Sequence, residues 1–238
     1  MTTHLCVTCG TQFPPAEQRP QRCPICGDEL QFIGLQGQQW ITLQQLQRTH
    51  RNTLYQEREG IWGGTTTPAF GIGQRALLMR TEKGNILWDC VSLIDPDTVT
   101  LIKALGGISA IAISHPRYYT SMVEWSRAFG GVPIYLHESD QEWVQRSDCS
   151  REISHKSVRT GGMSPSCTAI RTSFRLTQRA CAGFVSPLEP FSFTKLYGAW
   201  PHFVVQGNAK EVVRRSAERY LRALERGVSE VSVGVSGD

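Results

Sequence analysis

One stretch decides the fold prediction, residues 108–119, with the sequence ISAIAISHPRYY. Residues 108–114 are apolar apart from two serines, which predicts a strand buried on both faces. His115 follows at the carboxyl end of this strand, and ligands gather at such strand ends in layered α/β folds. Asp89 and His137 end two other predicted strands in the same way. All three are candidate site residues. The alternative is a hydrogen-bonding role for His115, a turn or cap role for Asp89 and a polar strand end for His137.

Strands and helices alternate around this stretch. Residues 73–80 and 85–90 predict a hairpin with Lys83-Gly84 in its turn. Asp95-Pro96 predicts a helix start, because proline suits the first helical position, and Gly106-Gly107 predicts its end. Another helix, a strand and a short helix are predicted after His115. This order predicts an α/β or α+β sandwich.

Two further helices are predicted from caps and spacing. Thr42 and Gln45 have the form of a capping box. A helix ending near Gly60 is then predicted from near-helical spacing of four residues, Leu43, Leu46, His50 and Leu54. Asn208 is predicted to cap an amphipathic helix that ends at Gly227.

Four cysteines form two close pairs near the amino terminus, Cys6 with Cys9 and Cys23 with Cys26. Two CxxC pairs can place four thiolates around one tetrahedral ion, which predicts a structural zinc site. The glycine after each pair suits a tight turn, because glycine tolerates positive φ. A segment of this length cannot bury enough surface to fold unaided, and zinc binding can supply roughly 10–16 kcal/mol. A redox-active dithiol and an iron site are the alternatives.

The sequence resembles the metallo-β-lactamase-fold hydrolases. The resemblance is carried by five runs: GQRALLMRTEKGNILWDC (73–90), ALGGISAIAISHP (104–116), YYTSMVEWSRAFGGVPIYLHESDQEWV (118–144), LEPFSFTKLYGAW (188–200) and RRSAERYLRAL (214–224). It implies a four-layer αββα sandwich with zinc at one edge. There, a metal-bound hydroxide attacks an ester, thioester, lactam or phosphoester.

The metal ligands that the resemblance implies are incomplete. The first family motif is His-x-His-x-Asp-His, and His115 matches its first histidine. Arg117 stands at the second histidine, and it cannot ligate zinc because it stays protonated. Tyr119 and Thr120 stand at the last two positions. The resemblance also implies a later histidine after a glycine pair and an aspartate after a strand. Here Gly161-Gly162 is followed by Met163, and no matching aspartate segment is found. Among later residues, His202 is the remaining candidate ligand.

Residues 147–187 break the pattern of the chain. They are rich in arginine, serine and threonine and have neither a strand period nor a helix period. They also occupy the place of a longer stretch in the family. We therefore expect a gene-model artefact there, with a divergent insert as the alternative.

These observations predict four regions: a zinc ribbon at 1–34, a helical linker at 35–60, a metallo-β-lactamase-like domain at 61–227 and a flexible tail at 228–238. We expect the ribbon and the large domain to have separate cores. The predicted function is that of a metallo-β-lactamase-like hydrolase-family protein with impaired or absent zinc-dependent turnover, its substrate a small molecule. The alternative is a non-catalytic module whose ribbon contacts a protein or a nucleic acid.

Composition limits the other function classes. Hydrophobic residues make up 40% of the 238 residues and charged residues 19%, a mix that buries a core and excludes wholesale disorder. A net charge of +4 is too small to imply a nucleic-acid partner. No run approaches the length of a membrane span, and no basic start with an apolar continuation opens the chain. The sequence therefore predicts a cytoplasmic protein without a membrane partner.

Overall fold

The computed structural model describes residues 1–27, 37–146, 153–155 and 188–232. The chain divides into two compact units. The first comprises Met1–Val158 with Ala199–Pro201, and the second comprises Arg159–Gly198 with His202–Asp238. Predictions for most of residues 147–187 and for residues 233–238 lie outside the described residues.

The first unit contains a seven-stranded mixed sheet in which the strands follow one another in chain order. Its strands are β3 (Arg51–Arg58), β4 (Ile61–Thr67), β5 (Arg75–Met79), β6 (Ile86–Trp88), β7 (Ala110–Ala112), β8 (Ile134–Leu136) and β9 (Ile153–His155). Strands β3 to β6 pair antiparallel, whereas β6 to β9 pair parallel. The predicted hairpin is confirmed as β5 and β6. Strand β9 lies inside the segment predicted to be irregular.

Two helices follow the parallel strands, α2 (Pro96–Ala104) and α3 (Met122–Ala128). The predicted start of α2 is confirmed, because the Asp95 carboxylate accepts a hydrogen bond from Thr98 N at 2.9 Å. A buried core lies between these helices and one face of the sheet. Its members include Trp125, Ile102, Ile111, Met122, Ile134 and Leu136.

The predicted helix at 43–60 is too long. The capping box of Thr42 and Gln45 is confirmed, but helix α1 (Leu43–Thr49) ends at Thr49 and strand β3 begins at Arg51. Strand β3 pairs with β4 on one side, and Leu54 packs against the core. A single leucine on the buried face fits a helix period and a strand period equally, so local spacing could not decide.

The amino-terminal segment packs directly on the sheet unit. Strands β1 (His4–Cys6) and β2 (Trp40–Thr42) pair antiparallel. A buried cluster joins Leu5 of β1 to Leu46 of α1, Phe70 and Leu93. The four cysteines have a buried cluster of their own, which they form with Phe13 and Ile25. The expectation of separate cores is therefore confirmed only in part, since Leu5 belongs to the second cluster, which includes residues outside the ribbon.

The second unit contains strands β10 (Leu196–Tyr197) and β11 (Val204–Val205), which pair antiparallel, and helix α4 (Ala209–Ser232). The prediction that α4 ends at Gly227 is wrong, because the helix continues to Ser232. Glycine inside a helix costs only about 1 kcal/mol relative to alanine, so it weakens a helix without stopping it. The four-layer sandwich stays a prediction. No helix among the described residues is both long and apolar enough to cross a membrane.

Candidate metal centre and strand-end residues

The structure brings Cys6, Cys9, Cys23 and Cys26 together in one buried group. All four sulfur atoms lie within 4.8 Å of one another. The Cys6 and Cys26 sulfurs are 3.6 Å apart, and the Cys9 and Cys23 sulfurs are 3.7 Å apart. These separations exceed a disulfide bond, which is about 2.05 Å long. They match a tetrahedral site, since four sulfurs at 2.3 Å from one zinc ion lie about 3.8 Å apart.

Local backbone geometry places the cysteines. Gly10 follows the first pair with φ of +81° and donates its N–H to the Cys6 carbonyl at 2.8 Å. The predicted positive φ is thus confirmed at Gly10. It is wrong at Gly27, which lies instead against the Cys23 carbonyl, where an added Cβ would be only 3.2 Å from the oxygen. Both cysteine pairs therefore lie in tight turns, of which the first has a glycine with positive φ and the second does not.

Polar groups surround the sulfurs and affect their ionisation. The Gln38 side-chain amide donates to the Cys6 sulfur at 3.0 Å, and its carbonyl accepts weakly from Cys23 N at 3.4 Å. Hydrogen bonds with Cys23 and Cys26 lower the pKa of the Cys6 thiol, whereas those with Cys23 and Cys6 raise the pKa of Cys26. Four buried thiols this close cannot all ionise without a compensating positive charge. The donor set fits a divalent ion that prefers thiolate ligands. Sequence reasoning missed Gln38, because no spacing rule links it to the cysteines.

The strand-end candidates lie at one edge of the sheet. Strands β6, β7 and β8 are adjacent and parallel, so their carboxyl ends meet at the same edge. Asp89 follows β6, Ser114 and His115 follow β7, and His137 follows β8. The sequence predicted a strand end at each of Asp89, His115 and His137, and the topology makes these three strand ends neighbours.

Asp89 ties the end of β6 to the end of β7. Its carboxylate accepts hydrogen bonds from Ser114 N at 2.8 Å and from Ser114 Oγ at 2.9 and 3.0 Å. The residue is only 7% exposed and has φ of +58°, a region that few residues other than glycine adopt. Burial raises the pKa of Asp89 to about 7, against hydrogen bonds from Ser114 and Trp88 that lower it. Both carboxylate oxygens thus serve a structural contact.

His115 caps the short 3₁₀ turn Pro116–Tyr118. Its Nδ1 accepts a hydrogen bond from Arg117 N at 3.2 Å, and its ring lies edge-on to Tyr118 with centroids 6.3 Å apart. Tyr119 is buried, and its hydroxyl donates to the Asp140 carbonyl at 3.2 Å. Burial raises the pKa of Tyr118 to about 12, with a further rise from Asp89. The segment therefore forms a packed turn in which Tyr118 is neutral.

The described residues do not complete a second metal centre. Among them, the four cysteines form the sole group of three or more ligand side chains close enough to hold one ion. His202 lies in the second unit, exposed, with φ of +66°, in the connection between β10 and β11. His155 pairs with Leu136 through β9 and β8. The glycine pair at 161–162 lies outside the described residues.

Comparison with known proteins finds one curated relative. The chain is 36% identical over 271 residues to a Bacillus subtilis (strain 168) protein described as "Uncharacterized protein YmaE". The match covers 94% of this chain and 97% of the Bacillus protein. The alignment is longer than the 238-residue chain, so the Bacillus protein has segments without a counterpart here. No protein-family model matches the chain.

Solved structures similar to the chain are metallo-β-lactamases. One, titled as the first B3 enzyme with an active-site glutamic acid, is 12% identical with a TM-score of 0.47, covering 77% of this chain and 91% of its own. A second, from Cronobacter sakazakii, is 23% identical with a TM-score of 0.31. It is a mutant in a HARLDQ motif, and the match covers 38% of this chain and 36% of its own.

Proposed function

The chain belongs to the family of the Bacillus subtilis protein YmaE, and from this premise we propose that it is a metallo-β-lactamase-like protein with one structural metal ion. Cys6, Cys9, Cys23 and Cys26 hold that ion, and zinc is the metal we propose. The strand-end residues do not support zinc-dependent hydrolysis. The protein is thus a member of a hydrolase superfamily whose turnover is impaired or lost.

One observation carries this proposal: the four cysteines supply a complete tetrahedral set, while the strand-end edge does not. A four-thiolate site leaves no open coordination position, so the ion is structural rather than catalytic. The alternatives of a redox dithiol or an iron site use the same four sulfurs. Zinc is favoured over the redox alternative because each sulfur has three close neighbours rather than one.

At the strand-end edge, the arrangement disfavours a catalytic ion in the described part of the chain. A catalytic zinc needs three protein ligands. His115 matches the first family ligand, but Arg117 brings a permanent positive charge two residues later, which repels a divalent ion. Both oxygens of Asp89 already accept hydrogen bonds from Ser114. These features support a structural role for the strand-end residues.

Residues 147–187 are the place where we propose that a longer family segment is shortened. The Bacillus relative contains segments that this chain lacks. Sequencing the transcript tests this: a coding sequence that differs from the chain within 147–187 supports an artefact. An identical coding sequence supports a divergent insert.

The experiment that tests the function is a metal count on purified protein, combined with hydrolysis assays on ester and lactam reporters. We expect about one zinc per chain and no zinc-dependent turnover. Cys23→Ser should lose the metal. Cys90→Ser should keep it, because Cys90 is equally buried but stands outside the group of four. Two or more metals per chain, with turnover that His115→Ala abolishes, would overturn the proposal.

The second candidate is a non-catalytic binding module whose ribbon contacts a partner, and the complete four-cysteine set favours it equally. One metal per chain without turnover fits both, so a binding assay separates them. We propose a protein as the partner rather than a nucleic acid, because the net charge is only +4. Sequence-selective nucleic-acid binding at physiological salt would contradict that choice.

A further inference from the structure

We infer that the ribbon metal site holds in place the loops that follow β6 and β7, so that metal loss loosens the strand-end residues Asp89 and His115. The inference rests on the metal binding proposed above and on nothing proposed about hydrolysis. It follows from three contacts, each of which joins the first cysteine turn to a segment that leaves a parallel strand.

The first contact reaches the loop after β6. The Ser92 hydroxyl donates to the Gly10 carbonyl at 3.0 Å, and both residues are buried. Gly10 lies between Cys9 and Thr11, inside the turn that the metal would fix. A Cβ at this position would collide with the Ser92 hydroxyl, so the close approach requires glycine. Ser92 stands three residues after Asp89, and the intervening Cys90 and Val91 are buried in the core.

The second contact reaches the loop after β7. Gln12 N, just after the cysteine turn, donates a backbone hydrogen bond to the Thr120 carbonyl at 3.0 Å. The Ser121 hydroxyl then donates to the Ser92 carbonyl at 2.6 Å. The two loops are therefore joined to each other as well as to the ribbon. Thr120 has φ of +35°, a conformation that threonine adopts only where surrounding contacts hold it.

The third contact follows β8. Arg146 is 3% exposed, and its guanidinium donates to the Gln12 side-chain carbonyl and to the Glu124 carboxylate, the latter at 3.0 Å. Glu124 lies on α3, the helix that follows the His115 turn. A buried charge that loses one of its partners is costly, so displacement of Gln12 would disturb α3 as well.

In all three contacts, the metal would stabilise the ribbon partner, which is the first cysteine turn. Within the first turn, Gly10 N donates to the Cys6 carbonyl and Cys6 N donates to the Thr11 carbonyl at 2.9 Å. These bonds place the Gly10 carbonyl and Gln12 N next to the cysteines, in the turn that the metal would close. Small metal modules of this kind unfold when the metal leaves. Metal loss should therefore remove the anchors of all three segments together.

Amide hydrogen exchange on the full chain tests the inference, with and without bound metal. We expect amides in residues 89–92 and 115–121 to exchange at least about tenfold faster in the metal-free protein. Amides in residues 106–109, at the opposite edge of the sheet, should change little, since their contacts to Asn85 involve no ribbon residue. Unchanged exchange in 89–92 and 115–121, or equal acceleration at both edges, would overturn the inference.

A reciprocal experiment uses cobalt(II), followed by the visible absorption of a tetrahedral cobalt thiolate site. Because coupling is mutual, Ser92→Ala should weaken cobalt binding by about two- to tenfold. Ser126→Ala is the matched control: it removes an equally buried hydroxyl that donates to the Val132 carbonyl at 2.6 Å, away from the ribbon. Equal cobalt affinity in Ser92→Ala and the wild type would overturn the inference alone. A chain that binds no cobalt would overturn the proposed function and the inference together.

Discussion

Replacing Asp89 by asparagine tests how the end of β6 is held. Both carboxylate oxygens accept hydrogen bonds from Ser114, and the residue is almost fully buried. Asparagine has nearly the same shape, can accept from Ser114 N and can donate to Ser114 Oγ. It also tolerates the positive φ of this position better than most residues. Asp89→Asn therefore removes the ionisable group and keeps the local contacts.

The magnitude follows from the pKa of Asp89, which burial raises from 3.8 to about 7. Above pH 4 the unfolded chain releases this proton, whereas the folded chain keeps it until about pH 7. Folding therefore becomes less favourable as pH rises through that window, by about 1.4 kcal/mol per pH unit. Between pH 5.5 and pH 8 this group should cost the wild type about 2 kcal/mol, most of it below pH 7. The Asp89→Asn variant has no ionisable group at this position, so it should not lose this part of its free energy of unfolding.

The assay is urea unfolding of the metal-loaded protein at pH 5.5 and pH 8, followed by tryptophan fluorescence. Other titrating groups cancel in the difference between variant and wild type. We expect that difference to shift by about 2 kcal/mol in favour of Asp89→Asn at pH 8. Asp95→Asn makes the same change at the less buried cap of α2 and tests whether burial causes the effect. A difference that stays within about 0.5 kcal/mol between the two pH values would refute the reasoning.

Four further predictions concern single residues. Ser114→Ala removes the hydroxyl that donates to the Asp89 carboxylate. It should lower the free energy of unfolding by about 1–2 kcal/mol at pH 8 and by less at pH 5.5; equal losses at the two pH values would contradict this. Arg117→His should leave the zinc count near one and give no hydrolysis in reporter assays, because the other family ligands are still missing; any zinc-dependent turnover would count against it. Leu5→Ala should cost about 2–5 kcal/mol in urea unfolding, because Leu5 is fully buried in the cluster shared with the sheet unit; a loss below 1 kcal/mol would show that the ribbon packs independently. Trp125→Phe should cost about 1–3 kcal/mol by the same assay, since it leaves the Val91 carbonyl without its indole donor at 2.9 Å; an unchanged midpoint would contradict this.

The four-cysteine group was predicted from the spacing of the cysteines alone. Two CxxC pairs constrain four sulfurs through short turns, so the sequence predicted the group without long-range information. The partner of Cys6, Gln38, was not predictable, because it approaches from a segment paired with β1. The contacts between the cysteine turn and the loops of the large sheet were not predicted. No local pattern shows that Gly10 and Gln12 meet the loops after β6 and β7.

The same division applies to the strand-end residues. An apolar run followed by a polar residue marks the end of a buried strand, so the strand ends at Asp89, His115 and His137 could be predicted from the sequence. That the three ends lie at one edge follows only from the parallel pairing of β6, β7 and β8. The positive φ of Asp89 and its three hydrogen bonds with Ser114 depend on the spacing of β6 and β7. Only the assembled sheet fixes that spacing.

What the sequence by itself determined were the features governed by neighbours along the chain: the cysteine turns, the Asp95 cap, the β5–β6 hairpin and the alternation of strands with helices. Tertiary structure alone decided residues 51–58, where a helix period and a strand period fit the same leucine, and β4 supplied the hydrogen bonds that made the segment a strand. It also decided that the ribbon packs on the sheet unit. The physical reason is that local turns and caps are satisfied within a few residues, whereas an edge strand and a small ribbon need residues from elsewhere in the chain to bury their apolar side chains.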